Sequence, residues 1–211
     1  MVRVERIIDR TQLEYYRKAY LRIGNSFIPD AYLFNNSVYG FYRKDQMIAG
    51  FIIGTSAPFR TIQLFAPVES HERLYSFLNN GIDVCEVCCF WHEKEVNSPY
   101  VNAYIWFNMA HKVNIAKRKF FLGGTYVKGL ANLYGAPSKA HLISEEVVEG
   151  RPAWIFIAWR KYALLSAIQV LTYKLRRSAE KKFGKGCKNY IRFDEQALNK
   201  VNGEIKLSKI G

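Results

Sequence analysis

Three of the four cysteines lie close together in the sequence, where they could form a metal site or supply a reactive thiol. Residues 83–104 read DVCEVCCFWHEKEVNSPYVNAY and contain Cys85, Cys88 and Cys89. A zinc knuckle needs two thiols across a tight turn and a second pair of ligands, but the residues between Cys85 and Cys88 give no turn signal. The segment favours a strand, in which Cys85 and Cys88, and likewise Cys88 and Cys89, point to opposite faces. We therefore predict buried free thiols and no metal.

One carboxylate stands out because its neighbours on the same predicted strand face are apolar. Glu86 shares that face with Val84, Cys88 and Phe90. A carboxylate in such surroundings either has a partner or carries a raised pKa. A raised pKa would suit a general base that deprotonates an amine. A salt-bridged or strand-edge glutamate is the structural alternative, and the sequence leaves both open.

A second candidate site is the start of a long helix predicted over residues 98–119. Ser98 suits the N-cap position and Pro99 suits the first helical turn. The free N–H groups at such an end can bind an anion such as a phosphate without a glycine-rich loop. An ordinary cap with no ligand is the alternative reading.

The positive charge is concentrated near the C-terminal end. The chain has 31 basic and 18 acidic residues, a net charge of +13, and residues 160–188 contribute +8 of it. Such a patch suits nucleic acid, an anionic membrane surface or a phosphate-rich ligand, although it could also be only solvated. If the apolar stripe of this helix packs on the domain or on a second subunit of a homodimer, the outward basic residues are Arg176, Arg177, Lys181 and Lys182. That stripe consists of Leu164, Leu165, Ile168, Leu171 and Leu175.

The remaining elements follow from periodicity and from turn residues. The predicted strands are VRVERII, the hairpin SVYGFYRKDQMIAGFIIGT, TIQLF, residues 82–92, FFLGGTY, KAHLISEEVVEG and RPAWIFIAWRKY. The predicted helices are residues 12–23 with a capping box of Thr11 and Glu14, PVESHERLYSFLNNG, residues 98–119, VKGLANLYGA and residues 163–182. SFIPDAYLFNN is expected to be irregular. We expect a cytoplasmic protein, because no targeting segment and no uncharged apolar run of about 18 residues is present.

This order of elements over residues 1–160 resembles the GNAT acyltransferase superfamily. Glu86 lies where the family carries an acidic residue in the strand before its long helix, and Leu133 and Tyr134 match a Leu-Tyr pair. VNSPYV, residues 96–101, falls at the position of the family's R-x-x-G-x-G/A pyrophosphate loop. That loop is degraded here, because neither the arginine nor the glycines are present.

The resemblance implies an α/β fold with a mixed, mostly antiparallel sheet over residues 1–160, followed by a basic helix and tail over residues 161–211. It also implies that acyl-CoA or acetyl-CoA lies in a gap between two strands. Glu86 would then deprotonate an amine and Tyr134 would protonate the leaving sulfur. Backbone at Phe90 and Trp91 would hold the pantetheine arm, and phosphate would bind at the helix start beside Asn97, Ser98 and Tyr100.

The predicted function is therefore transfer of an acyl group from a CoA-type thioester to an amine, with an acidic or nucleic-acid acceptor as one option. The competing hypothesis is a GNAT-like protein without catalysis, which binds nucleic acid through its basic C-terminal helix. The sequence does not identify the acyl donor, the acceptor or the oligomeric state.

Overall fold

The protein is built on one seven-stranded sheet. The computed structural model describes residues 2–93, 96, 98–135, 140–168 and 171–172, with the backbone alone at residues 99 and 133–135. The strand order is β1-β2-β3-β4-β5-β7-β6, and β4 and β5 are the parallel pair in an otherwise antiparallel sheet. The predicted mixed, mostly antiparallel sheet is confirmed. The strands are β1 (Val2–Ile7), β2 (Ser37–Arg43), β3 (Gln46–Gly54), β4 (Val84–His92), β5 (Phe120–Thr125), β6 (His141–Val148) and β7 (Arg151–Trp159).

Helices cover both faces of the sheet. Four of them pack on one face, in two apolar clusters that contain Trp91 of β4 and Leu122 of β5. They are α1 (Arg10–Gly24), α2 (Asp30–Asn35), α3 (Arg60–Phe65) and α4 (Val68–Phe77). The opposite face is covered by α5 (Pro99–Ile115), α6 (Lys128–Gly135) and the helical residues 163–168. None of the helices in the described ranges combines the length and the hydropathy needed to cross a membrane.

Two hairpins form where the turn residues predicted them. Lys44 and Asp45 join β2 to β3 with φ of 47° and 63°, and Glu149 and Gly150 join β6 to β7 with φ of 50° and 73°. Positive φ at both central residues is the backbone that matches the twist of a two-residue hairpin. These turns set the register of strands on both sides of β4 and β5.

Several helix predictions were wrong in detail. Helix α1 is capped by Asp9, whose Oδ1 accepts a hydrogen bond from the Gln12 N–H at 2.9 Å, so Thr11 already lies inside the helix. The segment expected to be irregular contains α2, which buries Tyr32 and Leu33. Helix α5 ends at Ile115 and the chain reverses through Lys117, at φ 54°, before β5 begins.

TIQLF forms helix α3, although its apolar, β-branched composition predicted a strand. The reason lies in the tertiary structure, because a carboxylate of β4 accepts hydrogen bonds from the first two N–H groups of this helix. Ile62 of α3 is fully buried against the sheet. Burial and capping from a distant strand override the local preference.

The helix after β7 packs on the domain through its small residues, so the option that the leucine stripe packs on the domain was wrong for its described residues. Ala163 and Ala167 are buried in the cluster beside α5. Leu164, Leu165 and Ile168 are 45%, 37% and 45% exposed. Alanine lets the helix backbone approach α5 closely, which a row of leucines would prevent. The division of the chain at residue 160 stays a prediction, as does packing on a second subunit.

Substitution of alanine for either of two adjacent glycines of β5 should change the free energy of unfolding in opposite directions. A Cβ at Gly124 would lie 2.3 Å from the Phe65 ring, whereas a Cβ at Gly123 would meet nothing within 4 Å. Gly124→Ala should lower the free energy of unfolding by about 1–3 kcal/mol through overpacking. Gly123→Ala should leave it unchanged or raise it by up to about 1 kcal/mol. Urea unfolding of both variants tests this pair, and equal destabilisation would contradict it.

Candidate active site

Strands β4 and β5 run together for only three residue pairs and then separate. The paired residues are Val84 with Phe120, Cys85 with Phe121 and Glu86 with Leu122. Beyond Glu86 a cavity of about 390 Å³ opens between the strands. Its lining comes from both faces of the sheet and includes Tyr20, Phe65, Cys88, Cys89, Phe90, His92, Trp106, Met109, Val113, Gly123, Gly124, Tyr126, Phe156 and Ala167.

A β-bulge in β4 forms part of the cavity wall. Gly50 and Ile52 of β3 face Trp91 and Cys88, so two residues of β4, Cys89 and Phe90, lie opposite one residue of β3. Cys89 has a left-handed backbone, with φ of 52°, and the Tyr16 hydroxyl donates to its carbonyl oxygen at 2.6 Å. A bulge interrupts the ladder hydrogen bonds, which leaves backbone groups available to a bound molecule.

The bulge also changes which way the cysteines point. The Sγ atoms of Cys88 and Cys89 lie 3.2 Å apart on the same side of the sheet, so the prediction that they point to opposite faces was wrong. Its premise, regular strand alternation, fails at the left-handed backbone of Cys89. Cys85 does lie on the face opposite to Cys88, as predicted. Phe90 leaves the face of Glu86 and packs near Trp106, with ring centroids 5.9 Å apart.

The thiols of Cys85 and Cys88 are poor nucleophiles. Burial raises the pKa of Cys85 to about 12 and raises that of Cys88 well above its ordinary value. A protonated thiol neither attacks a carbonyl nor ligates a metal readily. Within the described part of the chain, no three His, Cys, Asp or Glu side chains come together in a way that could hold a metal. Folding without metal stays a prediction.

Glu86 is fully buried and accepts hydrogen bonds from three donors. Its Oε1 accepts from the Tyr32 hydroxyl at 2.6 Å and from the Arg60 N–H at 2.8 Å, and its Oε2 accepts from the Thr61 N–H at 2.7 Å. Arg60 and Thr61 are the first residues of α3, so Glu86 caps that helix from β4. Burial raises the pKa of Glu86, and the hydrogen bonds oppose that shift only in part.

Glu86 is connected to the cavity through one intermediate side chain. The Tyr32 hydroxyl that donates to Glu86 also lies 3.1 Å from the Sγ of Cys88, which lines the cavity. The carboxylate itself is not part of the cavity lining. A direct contact between Glu86 and a substrate would require the displacement of Tyr32 or of the start of α3.

The predicted cofactor-binding residues that the structure describes lie in β4 and at the start of α5. Phe90 lines the cavity, whereas the Trp91 side chain packs edge-on against Tyr16 at 6.0 Å on the α1 side. Ser98 is the N-cap of α5 without a side-chain capping hydrogen bond, and Tyr100 in the first turn is 86% exposed. Tyr134 lies in α6 with only its backbone described. Asn97, Arg176, Arg177, Lys181 and Lys182 lie outside the described residues.

Sequence reasoning missed most of the cavity wall. Helix α5 contributes Trp106, Met109 and Val113, and β5 contributes Gly123 and Gly124. The α5 residues look like ordinary core positions in the sequence. The two adjacent glycines inside a strand were the one available signal, because glycine weakens a strand and marks close approach or open space.

Replacing the buried carboxylate tests its structural role. Glu86→Gln places an amide N–H₂ against the Thr61 N–H or removes an acceptor from Tyr32 and Arg60, so the free energy of unfolding should fall by about 1–3 kcal/mol. Glu145→Gln, on an exposed residue of β6, is the matched control and should change little.

The stability difference between wild type and Glu86→Gln should depend on pH in one direction. The folded-state pKa of Glu86 is raised above its ordinary 4.5, so its contribution to stability is complete below that value and is lost as the pH rises through the folded-state pKa. The free energy of unfolding of wild type should therefore exceed that of Glu86→Gln by less as the pH rises. Urea unfolding from pH 4 to pH 8 measures it, and a widening difference would contradict the assignment.

Comparison with known proteins shows likeness in structure alone. No family model matches the chain, and no curated protein sequence matches it. FeeM, an N-acyl amino acid synthase from uncultured soil microbes, is similar with a TM-score of 0.59 at 11% identity, over 77% of this chain and 93% of that one. The acyl-homoserine lactone synthase LasI is similar with a TM-score of 0.53 at 10% identity, over 78% and 93%.

A third similar structure spans more of the chain. The CoA-dependent acyl-homoserine lactone synthase MesI has a TM-score of 0.54 at 9% identity, over 89% of this chain and 98% of that one. At these identities the likeness establishes the fold. Together with the strand order and the separation of β4 from β5, it confirms the resemblance read from the sequence: the chain has a divergent GNAT-like fold.

Proposed function

We propose that the protein is an N-acyltransferase that moves an acyl group from a CoA-type thioester to an amine. The observation that carries the proposal is the cavity between β4 and β5, which adjoins a bulge in β4 and is flanked by α5. The names of the similar structures support it, because they are an N-acyl amino acid synthase and a CoA-dependent acyl-homoserine lactone synthase.

The gap between the strands suits a thioester that must be held straight while its carbonyl is attacked. The pantetheine arm would lie along β4 at Phe90 and Trp91, which follow the last residue of β4 that pairs with β5. The bulge would direct a backbone donor at the thioester oxygen, which gains negative charge as the amine attacks. The new C–N bond forms as the C–S bond breaks, the nitrogen loses one proton and the leaving sulfur gains one.

Glu86 would receive the proton from the amine by an indirect route. The side-chain hydrogen bonds that lead from Glu86 to a lining residue of the cavity run through the Tyr32 hydroxyl to the Cys88 thiol. A raised pKa brings a carboxylate closer to the pH at which a general base works best. Tyr134 would protonate the sulfur, as the family resemblance implies.

A pH–rate profile separates this role from a purely structural one. In wild type, kcat/KM should fall on the acid side as Glu86 becomes protonated. In Glu86→Gln this fall on the acid side should disappear. Tyr32→Phe removes the hydroxyl that connects Glu86 to Cys88 but keeps the carboxylate, so it should lower kcat/KM and retain the fall on the acid side. If Glu86→Gln lowers kcat/KM at every pH and kcat/KM still falls on the acid side, Glu86 serves only to position β4.

The start of α5 would bind the pyrophosphate of the donor. Among the described residues Ser98 gives the helix no side-chain capping hydrogen bond, and the N–H groups that follow Pro99 in the first turn of this 17-residue helix would be the ones to bind an anion. Tyr100 is exposed beside them. Because bulky side chains stand where the family has glycines, binding is expected to be weak.

A charge placed in the first turn of α5 tests this site. Tyr100→Glu should stabilise the helix, because a carboxylate is favourable at a helix N-terminus, and should still weaken binding of a CoA thioester about two- to fivefold by repulsion. Tyr100→Gln is the uncharged control. Isothermal calorimetry gives the two dissociation constants. Equal values would place the phosphates elsewhere, and no binding by wild type would remove the main support for the proposal.

The alternative function, nucleic-acid binding without catalysis, depends on Arg176, Arg177, Lys181 and Lys182. These residues lie outside the described part of the chain, so the alternative keeps only the support it had from the sequence, a local charge of +8. The hypothesis that the acyl acceptor is acidic or a nucleic acid is likewise supported only by this local positive charge.

A further inference from the structure

The cavity between β4 and β5 is apolar along the wall formed by the α5 side of the sheet. Among the described residues the cavity lining contains no Asp, Glu, Lys or Arg, and Trp106 and Ser166 are the hydrogen-bonding residues that α5 and the helix after β7 contribute to it. The apolar residues of this wall include Met109, Ala110, Val113, Phe121, Phe156 and Ala167. Several of these belong to the buried clusters of that face. An apolar ligand group in contact with these residues gains free energy by leaving water.

Three polar groups that line the cavity already have partners inside the protein. The Thr125 hydroxyl accepts from the Val127 N–H at 3.0 Å, and the Tyr126 hydroxyl donates to the Leu64 carbonyl oxygen. The thiol of Cys88 lies against a tyrosine hydroxyl and a second thiol. Water in an apolar cavity is poorly held, because a buried water needs two to four polar partners.

Small residues create the space. At Gly123, which lines the cavity from β5, an added Cβ would meet no atom within 4 Å. Ala110, Ala158 and Ala167 stand on the elements that face it. A larger side chain at any of these positions would occupy the volume that the present sequence leaves open.

The shape of the space favours a slender group. Adjacent strands lie about 4.8 Å apart when they pair, and here two strands separate past the pairing of Glu86 with Leu122 without another strand between them. The lining includes Phe65 and Cys88 on one face of the sheet and Met109 and Val113 on the other. An unbranched alkyl chain needs less space between two strands than a branched or cyclic group does.

We infer that this cavity binds the hydrocarbon tail of the acyl donor, and that the donor is a medium- or long-chain fatty acyl thioester. The inference rests on the proposed function and specifies its substrate. An acetyl group would fill only a small part of about 390 Å³. Each further methylene buried in the cavity strengthens binding, until the cavity is full.

A chain-length series measures the inference directly. Dissociation constants of acetyl-, hexanoyl- and decanoyl-CoA, taken by calorimetry below their micelle concentrations, should fall by up to about fourfold per buried methylene, equivalent to about 0.8 kcal/mol. The same series as S-acyl-N-acetylcysteamine thioesters, which lack the nucleotide, should show the same dependence with weaker binding overall. Affinity that does not change with chain length in either series would overturn the inference.

Filling the space should remove the preference for long chains. Gly123→Phe should weaken decanoyl-CoA binding at least tenfold and remove most of the difference in affinity between decanoyl-CoA and acetyl-CoA. Val147→Phe, on an exposed residue of β6, adds the same side chain away from the cavity and should behave like wild type. Ala110→Leu provides a second blocking variant, so that misfolding of the first one does not leave the question open. Chain-length dependence retained in a folded blocking variant would place the tail elsewhere.

The two sets of thioesters separate failure of this inference from failure of the proposed function. Chain-dependent binding of the N-acetylcysteamine thioesters with no binding of any CoA thioester would support the acyl site and reject CoA as carrier. Binding of all CoA thioesters with equal affinity would support the donor class and reject the acyl site.

Discussion

The buried carboxylate of Glu86 is the interaction on which the rest of the structure depends. It lies in β4 at the last position paired with β5, and its three hydrogen-bond donors come from α2 and α3. Burial of an unpartnered carboxylate would cost several kcal/mol, so these donors are a condition for the fold. Gly54 of the neighbouring strand leaves the space, because a Cβ there would lie 2.9 Å from the Oε1 of Glu86.

This attachment holds β4 in place where its other support ends. On one side β5 diverges after Glu86, and on the other side the ladder to β3 is interrupted at Cys89 and Phe90. Tyr16 stabilises the bulge by donating to the Cys89 carbonyl oxygen. A strand that lacks regular partners on both sides would otherwise close the gap or fray, and the helices on both faces prevent either outcome by packing against it.

The site combines a fixed backbone with an apolar interior, an arrangement that favours acyl transfer over other chemistry of the same residues. A thiol with a strongly raised pKa does not act as a nucleophile, so Cys88 serves as a packing and contact group, with the Cys89 thiol buried against it. The carboxylate is placed behind Tyr32, which keeps charge out of the cavity. A hydrocarbon chain and a thioester carbonyl both suit such surroundings, because neither carries a charge.

The sequence by itself determined the elements whose signals are local. Alternating strands, the two hairpin turns, the long helix after Ser98 and the anomaly of Glu86 among apolar neighbours follow from neighbours within a few residues, and their order was enough to indicate a GNAT-like fold. A carboxylate on an apolar strand face is costly wherever the chain folds, so the sequence alone could single it out.

Only the tertiary structure decided the features that depend on distant partners. TIQLF became helix α3 because Glu86 caps it, and the thiols of Cys88 and Cys89 share a face because Cys89 takes a left-handed backbone held by Tyr16. Ala163 and Ala167, rather than the leucines beside them, pack inward because close approach to α5 requires small side chains. The cavity is the space between two strands that part, and no local sequence pattern records a gap between strands whose Glu86 and Leu122 are 36 residues apart.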